Sequence, residues 1–372
     1  MLSFRTTGYN GYGVRYSPFY DNKVAVATSA NYGLVGNGRL YLLSINDDGS
    51  ITQDNIFDTQ DGLFSVAWSE SHENQVLTSS GDGSISLFDI TLSKFPVMNF
   101  KAHQREVFSV NWNLVEKHSF CSASWDGTVR VWSPMNSDPL LTLTSAKDHS
   151  VIASAPGSKM APPLSAKPSL ENTTNDCVYN AVFSPHDANV IISCNSASHL
   201  QIWDIRSPQP LQMDFIAHGG LETLSCDFNK YRTSVIATAS VDKTIKVWDL
   251  RTISGVAHAG SPLQPHHNVG PTPLNRFIGH DFAIRNIAWS PHSGDKLLSC
   301  SYDMTCRVWN DQTDDKARFL NKTNHGQACV NVFGRHREFV VGCDWSLWGE
   351  PGWVASTGWD EMVYIWDAKR KY

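Results

Sequence analysis

The chain has 372 residues, of which 41% are hydrophobic and 18% are charged, and its formal net charge is −6. This composition is typical of a folded domain, and the acidic balance disfavours general affinity for nucleic acid. No apolar run reaches the roughly 18–20 residues that a bilayer span requires, so we expect no membrane-spanning segment.

A short strand pattern recurs along the chain. Its clearest copies place an Asp six residues before an aromatic side chain, and the residues between them alternate polar and apolar, which is typical of a strand with one buried face. In chain order these copies end at Phe88, Trp132, Trp248, Trp309 and Trp366. A weaker copy covers residues 36–42, and a degenerate copy ends at Trp203 with Ala197 in place of the Asp. The pattern therefore predicts seven repeats.

Two further landmarks support the same register. A histidine precedes the final Trp by 29 or 30 residues in four repeats, and an aromatic side chain marks the first strand of all seven. The histidines are His103, His218, His280 and His336. The first-strand aromatics are Tyr16, Trp68, Trp112, Phe183, Phe228, Trp289 and Trp345. This combination is typical of WD repeats and predicts an all-β, seven-bladed β-propeller with four strands in each blade.

The propeller is expected to fill residues 1–372 as a single domain. The last repeat stops after its third strand, so residues 2–6 are predicted to supply the fourth strand and close the ring, which removes a free sheet edge. Three longer intervals, at about residues 145–175, 254–275 and 311–324, have polar or Pro- and Gly-rich compositions. We expect them to be surface loops.

The repeated His and Asp admit two interpretations. His–Asp pairs orient bases in hydrolases, but four copies of the set favour architecture, because an active site needs one copy. A hydrogen-bonded set of His, a strand Ser or Thr, Asp and Trp within each blade is the preferred interpretation. Its members are His103, Asp126, Trp132, His218, Asp242, Trp248, His280, Asp303, Trp309, His336, Asp360 and Trp366. The chain is therefore not expected to be an enzyme.

Metal and cofactor sites are not expected. The eight cysteines form no C-x-x-C pair, and the adjacent His266 and His267 have no cysteine or carboxylate at ligand spacing. No G-x-G-x-x-G or Walker sequence occurs. The cysteine usage fits a reducing cytosol, with Cys121, Cys194 and Cys300 as buried thiols.

The non-repeating residues at the turns carry the candidate site. Five carboxylates precede a first-strand aromatic by six or seven residues, where the chain passes between blades. They are Asp61, Glu106, Asp176, Glu222 and Glu338. Three aromatic side chains, Trp125, Tyr302 and Trp359, precede the turn Asp of their blades on the same face. The alternative for the carboxylates is that they belong to an ordinary solvated surface. The alternative for the aromatic side chains is that their rings pack between blades. The functional hypothesis is an acidic hollow with apolar anchors that suits an amphipathic helix bearing Arg or Lys.

Several segments outside the repeat resemble one family. They are FYDNKVAVA at residues 19–27, NYGLVGNG at 31–38, HQREVFSVNWN at 103–113, CDFNKYR at 226–232, SYDMTCRVW at 301–309 and CDWSLWG at 343–349. These segments resemble the receptors for the type-2 peroxisomal targeting signal, and most closely the budding-yeast members. The likeness spans all seven predicted blades.

This resemblance implies a receptor that binds the N-terminal type-2 signal of peroxisomal matrix enzymes such as 3-ketoacyl-CoA thiolase. In the family that signal is an amphipathic helix, a fungal co-receptor covers it, and the complex reaches the peroxisomal docking machinery. The receptor would cycle between the cytosol and the peroxisome matrix. The alternative is a WD-repeat adaptor of another pathway, such as a histone-tail reader or a ubiquitin-ligase substrate receptor, since both also use the central face.

Overall fold

A computed structural model describes residues 1–92, 94–144, 176–253, 271–313 and 328–372. In this part of the chain, 28 strands form seven four-stranded antiparallel sheets. The predicted loop at 145–175 lies outside the described residues, as do positions 254–270 and 314–324 of the other two predicted loops. The seven-bladed propeller predicted from the repeats is confirmed.

The first four blades follow the chain in order. Blade 1 contains β2 (Asn10–Tyr16), β3 (Lys23–Ser29), β4 (Gly38–Ile45) and β5 (Ile51–Thr59). Blade 2 contains β6 (Leu63–Trp68), β7 (Gln75–Ser80), β8 (Ser84–Asp89) and β9 (Met98–Lys101). Blade 3 contains β10 (Val107–Trp112), β11 (Phe120–Ser124), β12 (Thr128–Trp132) and β13 (Leu141–Thr144). Blade 4 contains β14 (Val178–Phe183), β15 (Val190–Asn195), β16 (His199–Asp204) and β17 (Leu211–Ile216).

The last three blades complete the circle. Blade 5 contains β18 (Thr223–Phe228), β19 (Val235–Ser240), β20 (Thr244–Asp249) and β21 (Asn275–Ile278). Blade 6 contains β22 (Ile284–Trp289), β23 (Lys296–Ser301), β24 (Cys306–Asn310) and β25 (Cys329–Phe333). Blade 7 contains β26 (Val340–Trp345), β27 (Trp353–Gly358), β28 (Met362–Asp367) and β1 (Leu2–Arg5). Short 3-10 turns occur at Asn31–Gly33 and Leu250–Thr252.

The first strand of each blade lies at the centre of the ring. Neighbouring first strands contact one another in sequence, and β26 of blade 7 contacts β2 of blade 1. The strand β1 pairs antiparallel with β28, in the register Leu2↔Ile365 to Arg5↔Met362. The N-terminal segment therefore completes the last blade, as the sequence predicted, and covers an edge that would otherwise expose unpaired backbone groups.

The apolar faces of neighbouring blades pack against each other. The first-strand aromatics predicted from the repeat are all buried, and so are the Trp side chains that end the third strands. One cluster, for example, joins Val247 and Phe277 of blade 5 to Trp289 and Trp309 of blade 6. Because each sheet has two buried faces, its central strands are buried along nearly their whole length, while the outer strands alternate buried and exposed residues.

Four blades contain the His–Ser/Thr–Asp–Trp set as a hydrogen-bonded network. In blade 6, His280 Nδ1 lies 2.7 Å from Asp303, its Nε2 lies 2.7 Å from the Ser299 hydroxyl, and Trp309 Nε1 donates to that hydroxyl at 2.8 Å. Burial lowers the pKa of His280, although Asp303 opposes this effect. The imidazole is therefore neutral, with its proton on Nδ1 towards the carboxylate. Equivalent contacts in the other three blades involve His103, His218 and His336.

Blades 1, 2 and 4 lack the complete set, and blades 2 and 4 show how the position is filled instead. In blade 4, where Ala197 replaces the Asp, the Asn195 side chain accepts hydrogen bonds from the backbone N–H groups of Ala197 and His199. In blade 2, Phe88 offers no indole N–H. The hydroxyl of Thr78, which occupies the position of Ser299, is buried without a hydrogen-bond partner among the described residues. The ring therefore tolerates incomplete networks.

Candidate functional site

One face of the ring, which we call the top face, contains both sets of turns singled out in the sequence. The chain passes into each first strand there, and the turn between the second and third strands lies beside it. In blade 3 these two segments are joined by a hydrogen bond from Trp125 N–H to the Glu106 carbonyl, and in blade 7 by one from Trp359 N–H to the Phe339 carbonyl. The opposite face, the bottom face, contains the turns between first and second strands.

A bulge at the start of every first strand places one extra residue at the centre of the top face. In each blade the pairing between the first two strands shifts by one residue at this point. We call the seven extra residues the bulge ring: Tyr12, Phe64, Phe108, Tyr179, Leu224, Arg285 and Val341. The cavity beneath them measures about 40 Å³, which is room for a few water molecules at most. A helical ligand must therefore lie across this face rather than enter the channel.

The three aromatic side chains predicted as anchors extend the bulge ring outwards. Trp125 stacks on Phe108 with ring centroids 4.5 Å apart and an interplanar angle of 5°. Trp359 lies 5.9 Å from Tyr12, and Tyr302 reaches the same group through Phe339, 4.8 Å away. All three are half-buried, so they pack between blades and also present part of their rings at the surface. The two interpretations of these residues are therefore compatible.

Two of the predicted carboxylates flank a single blade. Glu106 of blade 3 and Glu222 of blade 5 lie on either side of Cys177 and Tyr179 of blade 4, and Tyr179 donates a hydrogen bond to Glu222 at 3.1 Å. Burial raises the pKa of Cys177, the nearby Arg105 opposes it, and both carboxylates add to it. Burial and then Glu222 raise the pKa of Tyr179 above its ordinary range. Blades 3 to 5 thus form an acidic side of the top face.

The other three carboxylates belong to blades 2, 4 and 7. Asp61 of blade 2 is half-buried beside the turn glycine Gly81, and its side chain accepts a hydrogen bond from Gly62 N–H at 2.7 Å. Asp176 of blade 4 and Glu338 of blade 7 are exposed. All five lie where the chain enters a first strand, and Glu338 of blade 7 is three blades from Glu106 and two blades from Glu222.

Two arginines lie on the same face as these carboxylates. Arg105 lies at the rim, 3.6 Å from Glu106, and both side chains remain accessible, with 51% and 35% of their surfaces exposed. Such a rim pair is weak and can exchange with a ligand cation. Arg285 belongs to the bulge ring itself. It lies over the Phe108 ring, with 5.4 Å between the guanidinium carbon and the ring centroid.

Sequence reasoning missed the bulge ring. Each of its members stands four residues before a first-strand aromatic, so a fixed-position comparison of the repeats would have revealed a set dominated by apolar and aromatic side chains. Tyr32 was also missed. It packs 5.5 Å from Trp359, beside the exposed Leu34 and Val35 of the same turn. These residues add an apolar flank in blade 1.

The site has the character of a docking surface. Within the described ranges, no three His, Cys, Asp or Glu side chains are grouped so that they could hold a metal ion. The His–Asp pairs that resemble catalytic dyads are buried inside the blades, where each histidine is hydrogen-bonded to the Asp carboxylate and to a Ser or Thr hydroxyl. The fold and the top face define a WD-repeat binding scaffold.

Comparisons with known proteins agree that the chain is a WD-repeat protein and identify the family to which it is similar. The family described as WD domain, G-beta repeat matches residues 94–133, 209–249 and 271–310. The chain is 58% identical, over an alignment of 384 positions, to the peroxisomal targeting signal 2 receptor of Komagataella phaffii, with all of both chains covered. It is 47% identical to the protein of the same name from Saccharomyces cerevisiae, with 99% of each covered. It is 36% identical to peroxisome biogenesis protein 7 of Arabidopsis thaliana, with 96% and 95% covered.

The chain belongs to the family of peroxisomal targeting signal 2 receptors. The resemblance recognised in the sequence, including the similarity to the budding-yeast members, is therefore confirmed. A receptor family on a WD-repeat propeller is a non-enzymatic scaffold, as expected. In the portion of the chain that the structure describes, no helix is long and apolar enough to cross a membrane.

Proposed function

We propose that this chain binds the N-terminal type-2 targeting signal of matrix enzymes such as thiolase, as an amphipathic helix laid across the top face. With a fungal co-receptor it would deliver these enzymes from the cytosol to the docking machinery, and it would cycle to the peroxisome matrix. The observation that carries this proposal is the adjacency of an acidic side, formed by Glu106 and Glu222, to the aromatic surface around Phe108 and Trp125.

The two kinds of surface suit the two faces of such a helix. Basic side chains on one face would meet Glu106, Asp176 and Glu222, with Asp61 and Glu338 placed further round the rim. The apolar stripe would lie on Trp125, Trp359 and Tyr302. The small size of the cavity at the top face supports this pose, because the aromatic surface offers contact area without a deep pocket. The exposed Leu34 and Val35 would extend the contact towards a covering partner.

A charge reversal at the acidic side tests the proposal. Binding of a fluorescent thiolase N-terminal peptide would be measured by anisotropy, with and without the co-receptor, for the wild type and for Glu106→Lys. We expect the substitution to weaken binding about tenfold or more, because it replaces an attraction by a repulsion at an accessible site. The loss should shrink as salt rises, since exposed charges are screened.

The matched control is Glu116→Lys, which makes the same charge change on the bottom face, where Glu116 is exposed. It should bind the peptide within about twofold of the wild type at every salt concentration. Equal affinity of Glu106→Lys and the wild type would refute the placement of the helix. Binding of a basic histone-tail peptide in preference to the thiolase peptide would favour the other WD-repeat adaptors.

A further inference from the structure

The bottom face contains a larger cavity than the top face. It measures about 180 Å³, whereas the cavity beneath the bulge ring measures about 40 Å³. An engineered apolar cavity of about 150 Å³ in another protein binds benzene, so the bottom cavity has room for one long side chain or a small molecule. No bulge-ring residue, predicted carboxylate or predicted anchor lines it. The bottom cavity is therefore separate from the candidate signal site.

Six side chains from the turns between first and second strands line this cavity. Each belongs to a residue two positions after a first-strand aromatic. We call them the bottom ring: Pro18, Glu70, Leu114, Lys230, Pro291 and Leu347. Four of the six are apolar, and the two leucines are exposed, with 38% and 44% of their surfaces accessible. The bottom ring thus presents a largely apolar, accessible surface around the cavity.

Side-chain hydrogen bonds hold the turns of the bottom ring in place. The residue before each member is a Ser or Asn, and its side chain accepts a hydrogen bond from the backbone N–H two residues further along. Ser69 accepts from Ser71 at 3.2 Å, for example, and Asn113 accepts from Val115 at 3.1 Å. The other four turns have the same bond. Such turns fix the backbone, so the bottom ring is preorganised for a ligand.

Two cations line the cavity, and the protein itself compensates both. Arg15 Nη1 lies 3.2 Å from an Asp344 carboxylate oxygen, and Lys230 Nζ lies 2.7 Å from an Asp227 carboxylate oxygen. Each carboxylate also accepts a hydrogen bond from a backbone N–H of the next blade, which holds it in place. The two pairs are therefore neutral in sum and fixed between blades.

Glu70 also lines the cavity, and it has no compensating partner. It is half-buried, and among the residues that the structure describes its carboxylate has neither a hydrogen bond nor a cation within 4.0 Å. Burial raises the pKa of Glu70, although Lys117, which lies beyond ion-pair distance, opposes this effect. A half-buried carboxylate without a partner costs free energy, and a ligand cation would offset that cost. Charge complementarity therefore selects a cationic group for this cavity.

The surface around the bottom ring favours a protein segment over a small amine. The same turns expose Phe19, Val115, Tyr231 and Trp348, with 38–55% of each residue accessible. A small amine inside the cavity would leave these side chains in water. A short peptide would cover several of them and gain the free energy of burying their apolar surface.

We propose that the bottom ring binds a short extended segment of a partner protein, which inserts one Lys or Arg side chain into the cavity. The aliphatic stem of that side chain would pack against the Pro and Leu side chains of the bottom ring, and its cationic head would pair with Glu70. Apolar residues on either side of it would cover Val115, Tyr231 and Trp348. This inference goes beyond the proposed function, because it assigns a second ligand to the opposite face.

A peptide selection followed by a coupling measurement tests this assignment. A phage library of random seven-residue peptides would be selected on the full-length chain and counter-selected on Glu70→Lys, which removes peptides that bind elsewhere. In each enriched peptide, every Lys and Arg would be replaced in turn by norleucine, which keeps the stem without the charge. For one position we expect about a tenfold loss or more with the wild type and less than about a twofold loss with Glu70→Gln, measured by fluorescence anisotropy.

Two controls accompany this measurement. Glu73→Gln removes an exposed carboxylate from the same turn that does not line the cavity, so it should show the same coupling as the wild type. Free n-butylamine distinguishes a protein segment from a small amine, and it should displace the peptides only at concentrations at least about tenfold above their own. Thermal unfolding of every variant verifies that the ring is intact.

The outcomes separate this proposal from the receptor function, because none of these measurements uses the targeting signal. If no peptide is enriched, or if replacing its basic residue costs as much with Glu70→Gln as with the wild type, the site at the bottom ring is overturned. If n-butylamine binds as tightly as the peptides, a protein segment is the wrong occupant. In each case the proposed function on the top face is unaffected.

Discussion

The substitution Ser299→Ala tests whether the intrablade network stabilises the ring. The Ser299 hydroxyl donates to the neutral Nε2 of His280 at 2.7 Å and accepts from Trp309 Nε1 at 2.8 Å. Its removal leaves one buried acceptor and one buried donor without partners. Each such group costs about 1–3 kcal/mol, so we expect a loss of about 2–6 kcal/mol in the free energy of unfolding.

Thr78→Val in blade 2 is the matched control. Thr78 occupies the same position, but its buried hydroxyl has no partner among the described residues. Removing an unsatisfied hydroxyl while keeping the side-chain shape should be neutral or stabilising. Urea unfolding followed by tryptophan fluorescence would measure both midpoints. If Ser299→Ala costs no more than Thr78→Val, the network does not stabilise the blade and the structural interpretation of the repeated His and Asp fails.

Two further predictions concern the pH dependence of stability and the closure of the ring by β1. Burial lowers the pKa values of the network histidines of blades 3, 5 and 6, so the folded state binds fewer protons than the unfolded chain. Stability should therefore fall as pH drops below about 6.5. It should fall further below about pH 4. Burial raises the pKa of the partner carboxylates, but the histidine, a threonine hydroxyl and a backbone N–H group together hold that pKa below its ordinary value. Urea midpoints that stay constant from pH 7 to pH 4 would contradict this. Deleting residues 1–5 should lower the unfolding temperature and promote self-association, which light scattering would measure. The control Arg5→Ala should cost less than about 1 kcal/mol of stability, because the ion pair between Arg5 and Glu361 is exposed. A truncated chain as stable as the parent would refute the role of β1.

The blades, their order and the closing strand could be predicted from the sequence because they depend on local patterns. Period-two alternation and the Asp-containing turn reappear in each copy, and even the degenerate blade 4 preserves its third strand. The turn after the Asp requires a left-handed backbone, which Gly127 adopts easily, with φ 83°, and which Lys243 adopts at some cost, with φ 67°. Such local requirements can be recognised in each repeat separately.

The centre of the candidate site could not be predicted in the same way. A bulge depends on how two strands pair, and a side chain that crosses the ring, as Arg285 does towards Phe108, meets a residue far away in the chain. The predicted loop at 311–324 shows the same limit. Its first residue, Asp311, is buried because Arg232 pairs with it at 2.6 Å from the preceding blade. Contacts with residues far away in the sequence determine where these side chains lie. The repeat pattern contains no information about such contacts.

Hydrogen–deuterium exchange with and without the thiolase peptide tests most directly where the ligand lies. If the helix crosses the top face, binding should slow exchange in the turns around Glu106, Trp125 and Glu222, and leave the bottom-face turn around Glu116 unchanged. Protection confined to the bottom face, with no change at the top-face turns, would contradict the placement of the signal helix.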